Sequence, residues 1–239
     1  MGRMGRVNVA RMKVFFDIET APPDESEREK VLADVEREMG EKKPQPAAAQ
    51  IEKVADERFR QLALCGEQGR ILVIGMIVER EGEVVKRCLI GCEASRQFHL
   101  DEARTLRSFW ASLADFDCRR DLIVGHNIFD FDLLFIYKRS AIHEVRPTVN
   151  FPSARYRSQP VFDTMREWEF WGRGRVGLGR LAEALRLESS KNGGVNGANV
   201  YDNFIAGRHE EIGDYCGRDV ELVRAVYYRM RYLDMPISK

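Results

Sequence analysis

The sequence has no excess of charge of either sign, because its 38 lysines and arginines are balanced by 38 aspartates and glutamates. A net charge of zero argues against a protein that covers nucleic acid with its whole surface, although a local basic groove is compatible with it. The sequence also lacks an apolar run of the roughly 18 residues that indicate a membrane-spanning helix. The basic N-terminus lacks the apolar core of a signal peptide. We therefore expect a cytoplasmic protein with no membrane partner.

Cysteine is scarce, and its spacing does not indicate a zinc site. Five cysteines are scattered along the chain, and Cys88 and Cys92 have no second Cys or His pair to complete tetrahedral coordination. We expect reduced thiols. The chain also lacks repeats and low-complexity segments. With 239 residues, 44% of them hydrophobic, it can bury the core of one large domain or two small ones.

Residues 13–20 form a β-branched and aromatic run that is typical of a strand. Asp17 and Glu19 lie near its end, and the period-two alternation of a strand places both on one face, roughly 6–7 Å apart. Two like charges in an apolar strand destabilise the fold unless something neutralises them. Divalent cations such as Mg²⁺, which prefer oxygen ligands, would do so. An edge strand with both acids in water is the alternative.

A long charged segment follows this strand. Pro22 and Pro23 end the strand, and charged residues dominate as far as about residue 69. Apolar residues recur at helical spacing over residues 48–64. We interpret residues 21–69 as a charged, mostly helical insertion in a single domain of residues 1–239, and we favour a surface insertion over a lid.

The rest of the chain alternates between strand and helix patterns. An almost continuous apolar run at residues 71–78 predicts a central strand, and the turn signal Glu81-Gly82 predicts a hairpin with residues 84–90. Strands are also predicted at residues 122–125 and 161–163. Helices are predicted at residues 106–113, after Asp130, and at residues 178–187 and 209–232. This order predicts an α/β fold with a central mixed β-sheet flanked by helices.

Acidic residues recur where these elements should meet. Asp132 lies in the first turn of a helix that Asp130 could cap, after the strand at residues 122–125. Tyr215 and Asp219 are four residues apart and therefore share one face of the last helix. Four acids from three distant segments suit two hard cations, which can clamp the attacking and leaving oxygens of a phosphodiester in line.

Three motifs now carry a resemblance to a known family. They read Phe-Asp-Ile-Glu-Thr at residues 16–20, Gly-His-Asn-Ile-Phe-Asp-Phe-Asp at 125–132 and Tyr-Cys-Gly-Arg-Asp at 215–219. Together they resemble the exonuclease motifs of the DEDD superfamily, and in particular the 3′–5′ exonuclease domain of family B DNA polymerases and its stand-alone relatives. The resemblance spans roughly residues 13–232 and leaves no room for a polymerase domain.

The resemblance implies a fold, a cofactor and a set of roles. It implies an RNase H-like fold and two Mg²⁺ or Mn²⁺ ions held at the positions of Asp17, Glu19, Asp132 and Asp219. Tyr215 matches the residue that orients or activates water, and the substrate positions are Thr20, Asn127 and Phe131. The implied activity is hydrolysis at the 3′ ends of single-stranded nucleic acid, with DNA favoured and nucleoside 5′-monophosphates released. An RNA-directed exonuclease and a catalytically silent nucleic-acid-binding module are the alternatives.

Two alternatives concern the subclass and a glycine-rich segment. His209 and Asp214 satisfy the spacing of the histidine subclass, but Tyr215 shares a face with Asp219, and we favour the tyrosine subclass. Residues 172–177 match Gly-x-Gly-x-x-Gly but do not follow a buried strand, which argues against dinucleotide binding. The arginines in and after this segment either meet substrate phosphates or lie on a solvated loop; they are Arg173, Arg175 and Arg180.

Four further residues keep two interpretations each. Asp163 is interpreted as a helix cap in preference to a fifth metal ligand. His126 either contacts substrate or packs at a strand end. Trp168 and Trp171 either stack on bases or pack within the protein. The sequence does not decide the oligomeric state.

Overall fold

The computed structural model describes residues 12–40, 46–152, 156–188 and 194–236, so the basic N-terminus and residues 41–45 of the charged segment lie outside the described residues. Within these ranges the strands are β1 (Met12–Ala21), β2 (Arg70–Arg80), β3 (Glu83–Ile90), β4 (Leu122–Gly125) and β5 (Val161–Asp163). They form one sheet in the order β3-β2-β1-β4-β5. β1 is antiparallel to β2 and parallel to β4, and β5 is parallel to β4. The predicted mixed sheet is confirmed.

Helices cover the sheet and fill its connections. They are α1 (Arg28–Gly40), α2 (Ala48–Gln61), α3 (Glu102–Ser112), α4 (Asp132–Ile142), α5 (Thr164–Trp168), α6 (Leu178–Ala184), α7 (Val200–Ile205) and α8 (His209–Met230). The β2–β3 hairpin turns at Glu81 and Gly82, both with positive φ, as a two-residue turn of type I′ requires. The predicted α/β fold with helices around a mixed sheet is therefore confirmed. The last predicted helix ends at Met230, two residues earlier than expected.

The alternation of side chains along β1 sorts the core into two layers. Phe16 faces α3, where its ring lies 5.4 Å from that of Phe109. Phe15 faces the opposite side, where its ring lies 5.6 Å from that of Tyr227 in α8. Because Asp17 and Glu19 follow Phe15 at intervals of two residues, they also project toward α8. The period-two pattern thus directs both acids to the last helix.

β1 is longer than its neighbour β4, and this difference opens the sheet at one end. The two strands pair only as far as Phe15 and Val124. Beyond that point the chain leaves β4, and the start of α4 occupies the space beside β1. The backbone N–H of Ile18 therefore donates to Oδ1 of Asp132 (3.2 Å). A cleft forms at this point, where neighbouring strands diverge, as is common in α/β sheets.

One predicted helix cap is wrong. Phe131, not Asp130, is the N-cap residue of α4. Asp130 instead forms an ion pair with Arg166, 36 residues further along the chain. A contact at that sequence distance competes with the local capping interaction, and the local pattern does not show it.

The charged segment between β1 and β2 contains α1 and α2, which pack on each other through their own small cluster of buried residues: Val35, Met39 and Ala55. The segment is attached to the rest of the protein near the C-terminal end of β1. Phe59 of α2 is fully buried, and its ring lies 6.0 Å from that of Tyr201 in α7. A 3₁₀ turn (Leu62–Leu64) then leads toward β2.

Candidate active site

Two carboxylates of β1 form the centre of the site. Asp17 is partly exposed, whereas Glu19 is only 6% exposed. Carboxylate oxygens of both residues and Sγ of Cys216 in α8 lie within 4.8 Å of one another. Oxygen atoms at such short separations can share a divalent cation. Cys216 was expected only as a reduced thiol, and the sequence did not place it beside these acids.

Asp132 enters the site from the first turn of α4. Its side chain is almost fully buried, and its Oδ1 accepts the N–H of Ile18, the residue between the two acids of β1. Burial raises the pKa of the Asp132 carboxyl to about 7, although the hydrogen bonds from backbone N–H groups oppose this shift. The contact with Ile18 fixes α4 against β1, and so it also fixes the position of Asp132 relative to Asp17 and Glu19.

Asp219 and Tyr215 complete the site from α8. They are one helical turn apart, and the Tyr215 hydroxyl forms a hydrogen bond with Asp219. Burial raises the pKa of the Tyr215 phenol above its ordinary value, and the nearby charges of Asp219 and Glu19 raise it further. The phenol therefore stays protonated at neutral pH and keeps its ability to donate a hydrogen bond.

The four carboxylates are close enough to repel one another. Burial raises the pKa of Asp17 well above its usual range, and Asp132, Glu19 and Asp219 raise it further. Burial likewise raises the pKa of Glu19, with Asp219 and Asp132 as the next causes. Such a cluster is unfavourable by itself, because buried like charges need compensation. Divalent cations with a preference for oxygen ligands would supply it, so the donor set fits Mg²⁺ or Mn²⁺.

A cleft of about 360 Å³ opens onto these groups. Asp17, Glu19, Tyr215 and Asp219 line it, together with the predicted substrate residues Thr20 and Phe131. The opposite wall consists of residues that the sequence did not indicate: Arg60, Gln61, Ala63, Leu64, Gly197, Ala198, Val200 and Tyr201. The end of the charged segment is therefore part of the cleft wall. Only the helical pattern of residues 48–64 pointed to this segment, and that pattern carried no sign of the contact.

The wall is held together by polar contacts between α2 and α7. Arg60 donates to Asp202 of α7 (2.7 Å) and to Asp56 of its own helix (2.7 Å). The Arg60 guanidinium also lies over the ring of Tyr201, 5.3 Å from its centroid. These contacts tie the helical segment to the body of the protein beside the cleft.

Asp163 organises the turn that precedes Asp132. It is fully buried and accepts the N–H groups of Met165 and Arg166, so it caps α5 as predicted. It also accepts the N–H groups of Asn127 (3.0 Å) and Phe129 (3.3 Å). With four backbone donors directed at it, the carboxylate stabilises the turn and is not part of the acidic cluster. The second pair of contacts was not anticipated.

Asn127 lies in this turn but does not line the cleft. Its φ of 61° places it in the left-handed region, which Asn adopts more readily than most residues. Its Oδ1 is buried and has no hydrogen-bond partner among the described residues. The substrate-binding role of Asn127 stays a prediction.

His209 and Asp214 lie apart from the acidic cluster. The imidazole of His209 is stacked between the rings of Phe98 (4.7 Å) and Phe204 (5.4 Å), and its Nδ1 accepts the N–H of Phe98. Asp214 is exposed and paired with Arg96. His209 is a packing residue at the start of α8.

The remaining candidates divide between packing and exposure. Both ring nitrogens of His126 make hydrogen bonds within the protein, to Thr164 and Val176, which supports a packing role at the end of β4. The segment at residues 172–177 follows α5, so it does not form the strand–turn–helix unit of a dinucleotide site. Arg173, Arg175 and Arg180 are all exposed.

Comparisons with known proteins bear on the fold and on the family of the chain. The structure is similar to that of the family B DNA polymerase from the hyperthermophilic archaeon Pyrobaculum calidifontis, with a TM-score of 0.55 and 16% sequence identity. The match covers 92% of this chain and only 24% of the polymerase chain. At this identity the likeness shows the fold, which is RNase H-like. The sequence has no significant match among proteins of curated function.

Within the described ranges, no helix combines the length and apolar character that crossing a membrane requires.

A model of a protein family matches the chain from residue 64 onward, after β1 has ended. Asp17 and Glu19 therefore precede the matched residues, and only the structure places them beside the other acids. Residues 64–239 match the family described as "Predicted 3'-5' exonuclease related to the exonuclease domain of PolB". The chain belongs to this family of predicted exonucleases.

Proposed function

We propose that this protein is a divalent-metal-dependent 3′–5′ exonuclease of the tyrosine subclass. Its substrate is the 3′ end of single-stranded nucleic acid, with DNA favoured, and its products are nucleoside 5′-monophosphates. One observation carries the proposal. Asp17 and Glu19 of β1 and Asp219 of α8 line one cleft, beside the buried Asp132, and Tyr215 is hydrogen-bonded to Asp219.

The four carboxylates are the residues that would hold the metal. Mg²⁺ or Mn²⁺ ions, when bound, would neutralise the cluster and supply the positive charge that hydrolysis of a phosphodiester requires. The charges of the three other acids all raise the pKa of Asp17, so Asp17 is the residue most central to metal binding. Asp132 has a second role, because it accepts the Ile18 N–H and thereby holds the start of α4 against β1.

Tyr215 acts from the side of α8. Its phenol remains protonated, since burial and the nearby carboxylates raise its pKa. A protonated hydroxyl on the cleft wall can donate a hydrogen bond to a water molecule or to a phosphate oxygen and hold it in position. The packing of His209 between two phenylalanine rings supports Tyr215 as the residue with this role.

The size of the cleft supports action on chain ends. A volume of about 360 Å³ is small for a ligand pocket, since such pockets span roughly 300–1,000 Å³. It suits one nucleotide, with Phe131 and Thr20 along its side. Arg60, Gln61, Ala63 and Leu64 line the same cleft and limit its width, which favours a single strand over a duplex. The 3′-to-5′ direction is inferred from the family.

The test uses matched DNA and RNA oligonucleotides with a fluorophore at the 5′ end, incubated with Mg²⁺ or Mn²⁺. We expect a ladder of products shortened from the 3′ end, faster for DNA, and its loss on addition of EDTA. Asp17→Asn should lose about a thousandfold or more in rate, as removal of a key electrostatic group does. Asp214→Asn, which changes an exposed acid of α8 outside the acidic cluster, is the control and should cleave normally.

Three results would contradict parts of the proposal. Absence of cleavage of both oligonucleotides with either metal would reject the exonuclease function and favour a silent binding module. Faster cleavage of RNA would reassign the substrate. Equal activity of Asp17→Asn and the native protein would remove Asp17 from the site.

A further inference from the structure

A group of aromatic side chains lies outside the cleft, beside the turn that leads to Asp132. We name Phe129, Tyr156, Phe170 and Trp171 the aromatic ridge. The Trp171 ring lies between those of Phe129 (5.5 Å) and Tyr156 (5.4 Å). Tyr156 is 74% exposed, and Phe170 is 92% exposed. The ridge thus begins at a half-buried residue of the turn and ends in solvent.

Folding alone does not account for the exposed end of this ridge. Phe170 has a φ of 48° at the C-terminal end of α5, where its N–H donates to Glu167 O (3.3 Å) and the Trp171 N–H donates to Arg166 O (2.8 Å). This pair of hydrogen bonds ends many helices, and glycine usually occupies the position of Phe170 because side chains disfavour positive φ. An aromatic residue there costs free energy, and its ring is not buried in return.

The ridge is fixed to the candidate active site by several contacts. The Trp171 indole N–H donates to Glu167 (3.1 Å), which sets the plane of its ring. Arg166 joins α5 to Asp130, two residues before Asp132. Asp163 holds the N–H of Phe129, three residues before Asp132. The ridge is therefore attached to the turn that carries Asp132 into the candidate active site.

The stretch that carries three of the four ridge residues has more basic than acidic side chains, although the chain as a whole is neutral. Residues 156–180 contain five arginines and three acids. Of the acids, Asp163 is buried, Glu167 binds Trp171, and the Glu169 carboxylate packs against Gly174. Arg157, Arg173 and Arg175 are exposed. Aromatic rings interleaved with exposed arginines are the features by which proteins bind single-stranded nucleic acid through base stacking and phosphate contacts.

We infer that the aromatic ridge binds the single-stranded segment on the 5′ side of the terminal nucleotide. Bases of that segment stack on Tyr156, Phe170 and Trp171, and the exposed arginines contact its phosphates. The ridge would hold the substrate while its 3′ end lies in the cleft. This inference rests on the proposed nuclease function.

The test compares Tyr156→Ala/Phe170→Ala with the native protein. Both residues are more than two-thirds exposed, so their removal should leave the fold intact. Tyr232→Ala is the matched control, because Tyr232 is 95% exposed, has a φ of 54° and lies just beyond the C-terminal end of α8. The probes are a 5′-fluorescein-labelled dodecamer of thymidylate and a thymidylate dinucleotide, which ends within one nucleotide of the cleft.

For the dodecamer, we expect the double variant to raise KM about tenfold or more with kcat unchanged, since stacking of each base has effects of that size. The KM for the dinucleotide should not change, and Tyr232→Ala should match the native protein on both probes. Fluorescence anisotropy in EDTA should show the same loss of dodecamer affinity without turnover. Arg173→Gln/Arg175→Gln should reduce the salt dependence of that affinity.

The anisotropy measurement separates this inference from the proposed function. If the double variant cleaves the dodecamer with an unchanged KM and binds it with unchanged affinity, the inference is overturned. The ridge would then be a surface that contacts a protein partner. Weaker dodecamer binding by the double variant without cleavage by the native protein would support the ridge and reject the nuclease function.

Discussion

Gly75 lies opposite Asp17 in the β1–β2 ladder and marks the place where α8 packs against the sheet. A Cβ atom at Gly75 would lie 2.8 Å from Sγ of Cys216 and 2.9 Å from Cγ2 of Val220, both in α8. α8 also carries Tyr215 and Asp219. The absence of a side chain at Gly75 therefore sets how closely these two residues approach the acids of β1.

Gly75→Ala should therefore lower kcat strongly and lower the free energy of unfolding moderately. The new methyl group would push α8 from the sheet, and a displacement of about 1 Å in an active site can cost roughly a hundredfold in rate. The free energy of unfolding should fall by about 1–3 kcal/mol, as in other overpacked cores. Measurements of kcat and of urea denaturation check both values.

Gly217→Ala is the control for that experiment. Gly217 lies in α8, and a Cβ there would have no atom of a neighbouring element within 4 Å. The substitution should stabilise the protein by about 0.5–1 kcal/mol, because alanine favours a helix more than glycine does, and activity should persist. Equal activity of the two variants would show that the close approach at Gly75 is not needed.

Asp17→Asn should stabilise the metal-free protein while abolishing activity. Burial and three neighbouring acids raise the pKa of Asp17, so its charge opposes folding when no cation is bound. Each 1 kcal/mol gained should raise Tm by about 2–4 °C in a protein of this size. Thermal denaturation in EDTA measures this gain, and added Mg²⁺ should raise Tm in the native protein more than in the variant. A lower Tm in EDTA would contradict the proposed repulsion.

The metal-free protein should lose stability as the pH rises through neutrality. Burial raises the pKa of Asp132 to about 7 in the folded state, whereas the carboxyl of an unfolded chain titrates near 3.9. Between about pH 4 and 7 the folded state retains a proton that the unfolded state has released, so the free energy of unfolding falls as pH increases. Below the unfolded pKa this stabilisation is fully present.

Urea denaturation in EDTA between about pH 5 and 8 tests that dependence. Asp132→Asn keeps an oxygen that can accept the Ile18 N–H but has no titrating group. The variant should become progressively more stable than the native protein as pH rises. Parallel curves would show that Asp132 does not titrate in this range.

Tyr215→Phe should lower kcat by about a hundredfold, at the lower end of the effects of removing one positioned hydrogen-bond donor from an active site. The ring would be retained, and the hydrogen bond to Asp219 would be lost. His209→Ala removes a ring stacked between Phe98 and Phe204, so it should lower Tm with little change in kcat. The opposite pattern of rates would assign the protein to the histidine subclass.

Asp163→Ala should reduce both stability and activity. Four backbone N–H groups would lose their acceptor, and each unsatisfied buried group costs about 1–3 kcal/mol unless water reaches it. Asp130→Asn, which only weakens a partly exposed pair with Arg166, should cost less than about 1 kcal/mol. Comparison of unfolding free energies and of kcat for the two variants checks this order. A larger loss from Asp130→Asn would contradict it.

The sequence by itself determined the elements and most of the acidic cluster, because these depend on local periodicity. Alternation along β1 was sufficient to place Asp17 and Glu19 on one face, and the interval of four residues in α8 was sufficient to pair Tyr215 with Asp219. The hairpin at Glu81 and Gly82 follows from local turn chemistry in the same way.

Only the tertiary structure decided which residues surround those acids. The wall at Arg60, the approach of α8 at Gly75, the contacts of Asp163 with Asn127 and Phe129, and the pairing of Asp130 with Arg166 all join residues far apart in the chain. Such contacts depend on how helices and strands pack, and no local spacing encodes them. The sequence therefore indicated the chemistry of the site, and the packing of α2, α5 and α8 against the sheet decided its shape.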